Sequence, residues 1–311
     1  MSISVPPNVQ FAAMIAVSAL LVGTCIRMAT MHGQSPEVAQ SRLGSLKSWW
    51  IVSLVVIVSA VLGPLAMVTV AGGLSVLALR EFVALPLQPA IPRSVTLATY
   101  GLILVSYAAV AWQWVSFFVI AVPLLSIAVP AFVLIVSGHV DAYLRHVGRV
   151  AFIVMVTTYA VGHIALLVTL PPSSNPESGP AGLFLFVIAI TEINDIAQAI
   201  VGRRLGRRKL TPVSPKKTWE GFLGGMVITS LIAMLLGAWL TALTPLQCIA
   251  AGMLLSIAGQ LGDLNMSAVK REIGVKDSGT LLPGQGGILD RIDSLTFTAP
   301  LFYYYFQWVN R

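Results

Sequence analysis

Carboxylates, cations and glycines cluster near the end of this very apolar chain, in the stretch 281–294 (LLPGQGGILDRIDS). Asp290 and Asp293 are three residues apart there, and Asp263 and Ser267 are four apart just upstream. Carboxylate and hydroxyl oxygens are hard ligands of the kind that Mg²⁺ prefers, together with substrate phosphates. Acidic residues are also common at helix starts. The prediction of a site therefore depends on these residues occurring together with nearby cations.

Positive charge for phosphate oxygens is available in the same part of the chain, from Lys270, Arg271, Lys276 and Arg291. Glycines between them let the backbone approach a ligand closely, because glycine has no Cβ. Carboxylates, cations and glycines together predict a metal–nucleotide site.

A second basic segment covers residues 202–220 (GRRLGRRKLTPVSPKKTWE). Its arginine pairs are typical of a loop that holds anionic lipid headgroups, at about 1 kcal/mol per basic residue. Ser214 before Pro215 predicts a helix N-cap followed by proline at the first helical position. Lys216 and Lys217 would then lie in the first turn, where cations oppose the helix dipole. That arrangement favours a helix start that binds phosphate, although the sequence pattern of a Walker A loop is absent.

The composition places these residues in a membrane protein. The chain is 57% hydrophobic and 10% charged, whereas soluble domains carry roughly 25% charged residues. Runs of about 20 apolar residues predict an all-α, polytopic integral membrane protein of about ten transmembrane helices. We expect them at 9–29, 48–64, 65–82, 94–112, 114–136, 148–170, 181–201, 219–242, 246–264 and 291–309.

The basic residues indicate how these spans are oriented. Of the 19 Lys and Arg, 18 follow odd-numbered spans, and Arg311 alone falls on the other side. The positive-inside rule puts the basic side in the cytoplasm, in a bacterial-type inner membrane. The net charge of +7 is explained in this way, and no nucleic-acid partner is expected. Trp49 and Trp50 are expected to anchor the chain at the membrane interface.

We divide the chain into N-terminal transmembrane helices, 1–180, and a C-terminal catalytic region, 181–311, with cytoplasmic loops at 202–218 and 265–290. Glu192, Asp195 and Gln198 recur every three residues near the cytoplasmic end of span seven, so they share one helical face. Ionisable residues in a membrane span are costly and mark functional sites by default. They are expected either to form polar contacts between helices or to share a site with Asp263.

The residues of the last third resemble the signature of the phosphatidate cytidylyltransferase (CDP-diacylglycerol synthase) family. The matching positions are Ser267, Lys270, Arg271, Lys276, Asp277, Gly286, Gly287, Asp290, Arg291 and Asp293. The upstream segment GRRLGRRKLTPVSPKKTWEG is also similar to the family. The resemblance covers Thr191 to Ser294, and the earlier spans match only in being apolar.

The resemblance implies an enzyme that joins CTP to phosphatidic acid, giving CDP-diacylglycerol and pyrophosphate among membrane lipids. It implies Mg²⁺ as the cofactor, as one ion or two. The expected metal-linked residues are Asp263, Asp290, Ser267 and Asp293. The expected catalytic residues are Lys270, Arg271, Lys276, Asp277 and Arg291. The expected substrate-binding residues are Asp195, Ser214, Lys216, Lys217, Gln285, Gly286 and Gly287.

The chain departs from the family pattern in two places. Most members carry histidine at the position of Gln285, and most follow the span-seven aspartate with a different sequence from 195-DIAQA-199. A phosphate monoester has a second pKa near 6, so the attacking phosphate is mostly dianionic at neutral pH and needs no base. Glutamine still donates a hydrogen bond. We therefore expect Gln285 to be compatible with turnover.

Several alternatives remain open from the sequence. A cytidylyltransferase for another lipid phosphate, a CTP-dependent lipid kinase that releases CDP, and an inactive or regulatory homologue all fit the motifs. A transporter would need internal repeats or broken helices with polar residues at the midplane, and we find no repeat. A homodimer is one assembly compatible with the sequence.

Overall fold

The computed structural model describes residues 5–31, 34–171 and 174–310, so Arg311 lies outside the described residues. The long helices are α1 (Pro7–Ala29), α2 (Pro36–Leu62), α3 (Pro64–Ala84), α4 (Arg93–Ala111), α5 (Val115–Val136), α6 (Tyr143–Thr169), α7 (Gly179–Leu205), α8 (Trp219–Leu240) and α9 (Pro245–Ile273). They are followed by α10 (Leu289–Ile292) and α11 (Leu295–Val309). Helices α1 to α9 are the ones that, within the described residues, are long and apolar enough to span a membrane. The prediction of an all-α, polytopic membrane protein is confirmed.

The predicted spans 48–64 and 65–82, and likewise 94–112 and 114–136, are separated where the sequence predicted. Gly63, with φ of 99°, separates α2 from α3, and Pro64 begins the next helix. Gln113, with φ of 60°, lies between α4 and α5. The predicted loops are shorter than expected, because α7 continues to Leu205 and α9 continues to Ile273.

The predicted tenth span is wrong as a continuous helix. Its helical hydrogen bonding is interrupted at Asp293 and Ser294, and the remaining helix α11 has 15 residues, fewer than the roughly 20 that a membrane helix needs. The hydroxyl of Thr296 donates to the carbonyl oxygen of Asp293 at 2.6 Å. The Ser294 hydroxyl donates to Asp195 instead of to its own helix. The interruption therefore lies where one hydroxyl bonds within the chain segment and the other bonds to Asp195 in the site.

Contacts between helix ends support the predicted alternation of the spans. Segments predicted on the basic side meet each other, since Gln285 contacts Ser45 near the start of α2. On the opposite side, Asn8 at the start of α1 donates to Glu177, which precedes α7. Helices α7, α8, α9 and α11 pack against one another. The polar residues of the site lie on α7, α9 and α10 and in the segments that join these helices.

Candidate active site

A cavity of about 450 Å³ opens where α7, α9 and α10 end or begin. Its walls include nine of the predicted site residues: Asp195, Lys217, Asp263, Lys270, Asp277, Gln285, Asp290, Arg291 and Asp293. Seven other predicted residues do not line it: Ser214, Lys216, Ser267, Arg271, Lys276, Gly286 and Gly287. The residues brought together come from segments almost 100 positions apart, and their types remain those that bind phosphates and divalent cations.

Two lysines pair with the two carboxylates predicted to be linked to a metal. Lys217 Nζ lies 2.6 Å from Asp263 Oδ2, and Lys270 Nζ lies 2.6 Å from Asp290 Oδ1. Burial would lower the pKa of Lys217, but the carboxylates of Asp263, Asp195 and Asp293 together outweigh burial and hold the pKa above its ordinary value. Lys217 therefore stays charged, and both lysines have further N–H donors to offer to a ligand.

Asp290 organises the loop that precedes it. Its Oδ2 accepts hydrogen bonds from the backbone N–H of Ser278 at 2.8 Å, the N–H of Gly287 at 3.0 Å and the Ser278 hydroxyl at 3.0 Å. Burial alone would raise the pKa of Asp290, but the hydrogen bonds from Lys270 and these N–H groups bring the pKa below its ordinary value. The side chain is thus held ionised and in one place.

Asp195 and Arg291 each have a buried atom with no hydrogen-bond partner in the described part of the chain. Asp195 Oδ2 accepts from the Ser294 hydroxyl at 2.8 Å, while its Oδ1 is buried and accepts no hydrogen bond from the described residues. Arg291 Nε is likewise buried without a partner among them.

Ser267, four residues after Asp263, donates to Asp263 Oδ1 at 3.3 Å. The spacing on α9 therefore brings these two together as predicted.

The segment SPKK does not begin a helix, so the predicted N-cap at Ser214 is wrong. Thr218 is the N-cap of α8, and its hydroxyl accepts from the N–H of Gly221. Residues 208–219 instead form a hairpin in which the N–H of Leu210 donates to the carbonyl of Lys217. Threonine is also a favoured N-cap residue, and Thr218 directly precedes the apolar run of α8. The hairpin places Lys217 in the cavity, whereas Lys216 is exposed.

Gln285 connects the glycine-rich loop to α2. Its amide Nε2 donates to the Ser45 carbonyl at 3.0 Å and lies 3.3 Å from the Ser45 hydroxyl. Nearby, the Ser48 hydroxyl donates to the carbonyl of Pro283 at 2.9 Å. The glutamine that replaces the usual histidine therefore acts as a hydrogen-bond donor between two parts of the fold while lining the cavity.

Two glycines of the loop before α10, Gly284 and Gly286, lie so close to other atoms of the protein that a Cβ would collide with them. A Cβ on Gly286, whose φ is 87°, would lie 2.7 Å from Asp290 Oδ2, and a Cβ on Gly284 would lie 2.5 Å from the Ser41 carbonyl. No side chain fits in either place. The substrate-binding role of Gly286 and Gly287 stays a prediction, since what these glycines adjoin here is the protein itself.

Three residues of this region had no predicted part in the site. Trp49 and Arg203 line the cavity, and Glu81 contacts the loop from behind. An arginine within a polybasic run and a tryptophan in an apolar run carry no spacing signal. Glu192, noted on the face of Asp195, also lines the cavity, but Gln198 turns into the core and donates to Asn194.

An apolar groove of about 490 Å³ adjoins the polar cavity. It lies between α1, α2, α7 and α8, and Phe11 stacks on Trp239 along one wall with ring centroids 4.7 Å apart. Trp49, Glu192 and Ile196 line both the groove and the cavity. A molecule with a charged head and apolar chains could therefore occupy both at once.

The comparison with known protein families decides the family to which the chain belongs. Residues 45–309 match the model of the cytidylyltransferase family. The chain belongs to this family. The match extends the resemblance from the last third into α2, which is the helix that the Gln285 contact reaches.

Three relatives show how far the likeness extends. The Escherichia coli protein YnbB, whose name states no activity, is 40% identical over 266 residues, covering 85% of this chain and 86% of YnbB. Phosphatidate cytidylyltransferase of Synechocystis is 48% identical over 136 residues, 42% of this chain and 46% of the relative. That of Bacillus subtilis is 49% identical over 114 residues, 35% of this chain and 42% of the relative. The chain thus matches less than half the length of these two cytidylyltransferases.

Gln285→Glu is expected to lower the free energy of unfolding by about 1–3 kcal/mol, since a carboxylate cannot donate to the Ser45 carbonyl and instead places a second acceptor against it. Gln285→His keeps a donor and should cost less. The measurement is the midpoint of thermal unfolding of each variant in detergent.

Gln40→Glu is the matched control, because Gln40 is an exposed glutamine on α2 that undergoes the same chemical change. Equal midpoints for Gln285→Glu and Gln40→Glu would contradict the connecting role of Gln285.

Proposed function

We propose that this cytidylyltransferase transfers CMP from CTP to phosphatidic acid, giving CDP-diacylglycerol and pyrophosphate for phospholipid synthesis. The observation that carries the proposal is the polar cavity joined to an apolar groove through Trp49, Glu192 and Ile196. CTP is wholly polar, and phosphatidic acid is a phosphate on apolar chains. CTP therefore suits the polar cavity alone, whereas phosphatidic acid suits the cavity with its phosphate and the groove with its apolar chains.

In the proposed reaction an oxygen of the lipid phosphate attacks the α-phosphorus of CTP. The bond from the α-phosphorus to the bridging oxygen breaks, and pyrophosphate leaves with that oxygen and its electron pair. The lipid phosphate is already mostly dianionic at neutral pH, so no protein base is needed. The main task is to bring two anions together and to stabilise the leaving charge, which Lys217, Lys270 and Arg291 do by position and charge.

A divalent cation fits the cavity. Its wall carries six carboxylates but only four cationic side chains, which is a poor match for two anionic substrates. Asp195 Oδ1 is buried without a partner among the described residues. No three acidic, histidine or cysteine side chains converge on one point in the described part of the chain. That suits Mg²⁺, which binds through one or two carboxylates together with substrate phosphates.

We assign the ion to Asp263 and Asp290, with Asp195 as a third candidate and with Ser267 and Asp293 in support. When bound, Mg²⁺ would neutralise charge on the nucleotide phosphates. The lysines now paired with Asp263 and Asp290 would then be available to phosphate oxygens. The presence of one ion or two stays a prediction.

The proposed location is a bacterial inner membrane, with the cavity facing the cytoplasm where CTP is present. The asymmetry of Lys and Arg supports this orientation. Exposed arginines in the last turn of α7 and just after it, among them Arg204 and Arg207, would contact anionic lipid headgroups. A homodimer stays a prediction.

The purified protein in mixed micelles with CTP, Mg²⁺ and phosphatidic acid is expected to release pyrophosphate and form a CDP-lipid in equal amounts. Omission of lipid is the control. Release of CDP with a phosphorylated lipid would instead indicate a lipid kinase. No product from folded protein, with other lipid phosphates also tested, would contradict the proposal.

A further inference from the structure

A buried carboxylate outside the cavity contacts the loop that carries Asp290. Glu81, in the last turn of α3, is 5% exposed. Its Oε1 accepts from the N–H of Ile288 at 2.9 Å, and its Oε2 accepts from the N–H of Leu289 at 3.0 Å. Among the described residues no Lys or Arg pairs with it. Each of its two oxygens therefore accepts from one of two successive backbone N–H groups, and hydrogen bonds from N–H groups to a carboxylate are stronger than those between neutral groups.

Glu81 and Asp290 hold the same short segment from two sides. The hydroxyl of Ser278 lies 3.3 Å from Glu81 Oε2 and 3.0 Å from Asp290 Oδ2. The N–H of Gly287 donates to Asp290, and the next two N–H groups donate to Glu81. Moving Glu81 would therefore move the backbone that fixes Asp290.

The sequence of the loop is fitted to this carboxylate. A Cβ on Gly287 would lie 2.4 Å from Glu81 Oε2, and a Cβ on Gly279 would lie 2.8 Å from Glu81 Oε1. Real Cβ atoms do not approach so closely, so glycine is required at both positions while the carboxylate is there. Glu81 and these glycines, 198 and 206 residues apart in sequence, form one arrangement.

We infer that Glu81 is a positioning residue for the active site. It does not line the cavity, so it acts through the loop. It sets the place of Asp290, and through the 2.6 Å pair with Asp290 it sets the place of Lys270. The inference rests on the proposed function for its catalytic consequence, but the contacts between Glu81 and the loop are independent of it.

Glu81→Gln keeps the length of the side chain but puts an NH₂ group against a backbone N–H. We expect kcat for CDP-lipid formation to fall by about 100-fold, as for a small misplacement of catalytic groups, with KM for the lipid unchanged. Amide hydrogen exchange in 278–290 should be faster in the variant, while exchange in α8 should not change.

Ser75→Ala is the matched control. Ser75 is a buried polar residue on the same helix, and its hydroxyl contacts Tyr107 and the Thr157 carbonyl, away from the loop. This variant should lose stability without changing kcat or exchange in 278–290. A Glu81→Gln protein with the kcat and the loop exchange of the wild type would overturn the inference, and so would faster exchange spread over all helices.

Failure of the proposed function has a different signature. A wild-type protein that makes no CDP-lipid would refute that function, while the exchange measurement would still decide the role of Glu81. If Glu81→Gln does not give a folded protein, Glu81→Asp replaces it, with the carboxylate one methylene short. Faster amide exchange confined to 278–290 is then the expected result, and unchanged exchange in this segment would overturn the positioning role of Glu81.

Discussion

Asp263→Asn is expected to lower kcat for CDP-lipid formation by at least about 1000-fold while leaving the protein folded. Loss of the carboxylate charge removes the partner of Lys217 at 2.6 Å and the proposed link to Mg²⁺. A bound metal contributes several kcal/mol to transition-state stabilisation, and about 4 kcal/mol corresponds to 1000-fold. The pair is about one-fifth exposed, so its loss should cost stability only about 0–1 kcal/mol.

The measurement is the rate at saturating CTP and lipid as a function of Mg²⁺ concentration, together with the unfolding midpoint. Glu272→Gln is the matched control, since Glu272 is an exposed carboxylate near the end of the same helix and loses its charge in the same way. A rate within about tenfold of wild type, with unchanged dependence on Mg²⁺, would remove Asp263 from the metal role. A low midpoint would mean that Asp263 has a structural role instead.

Helix positions were predictable because membrane spans are read from local composition. Nine apolar runs became α1 to α9, and a glycine before a proline correctly divided two of them. The same rule failed for the tenth span, where Asp293 lines the cavity and the Ser294 hydroxyl donates to Asp195. Hydropathy averages over such residues, so it cannot show where a helix is interrupted for function.

The site was predictable where its residues share a helix or a known signature. Asp263 and Ser267, four residues apart on one helix, contact each other, whereas the pairing of Asp290 with Lys270 was not predicted, because Lys270 was expected to meet phosphate oxygens. The N-cap at Ser214 failed because a local preference was read without the competing threonine nearer the apolar run.

Contacts from the N-terminal helices had no signal in the sequence at all. Glu81 lies in an apolar run, and nothing local relates it to a loop some 200 residues later. The same holds for Ser45, whose carbonyl receives Gln285. The division into an N-terminal part, 1–180, and a catalytic part, 181–311, stays a prediction, and both contacts cross it. The loop that carries Asp290 is therefore shaped partly by helices that make no other contribution to the motif.

Asp290→Asn is expected to abolish turnover and, unlike Asp263→Asn, to destabilise the protein. The carboxylate is paired with Lys270, and the two side chains are 8% and 13% exposed. Removing one partner of such a buried pair costs about 3–5 kcal/mol, since the other charge is left unpaired. Three further donors from Ser278 and Gly287 point at Asp290 Oδ2. The NH₂ group of an asparagine at this position would have to face either these donors or Lys270, and it cannot accept a hydrogen bond from any of them.

The pH dependence separates this variant from a simple packing defect. Since the pKa of Asp290 is lowered in the folded protein, its contribution to stability is present above its unfolded pKa of about 3.9 and is lost as pH falls through the folded value. The difference in unfolding free energy between wild type and Asp290→Asn should therefore be constant near neutral pH and narrow below about pH 4. Urea unfolding in micelles across this range, with Glu272→Gln as the control, measures it. If the difference in unfolding free energy does not narrow at low pH, the charge of Asp290 is not what holds the loop. If Asp290→Asn retains turnover, Asp290 has no role in binding the metal.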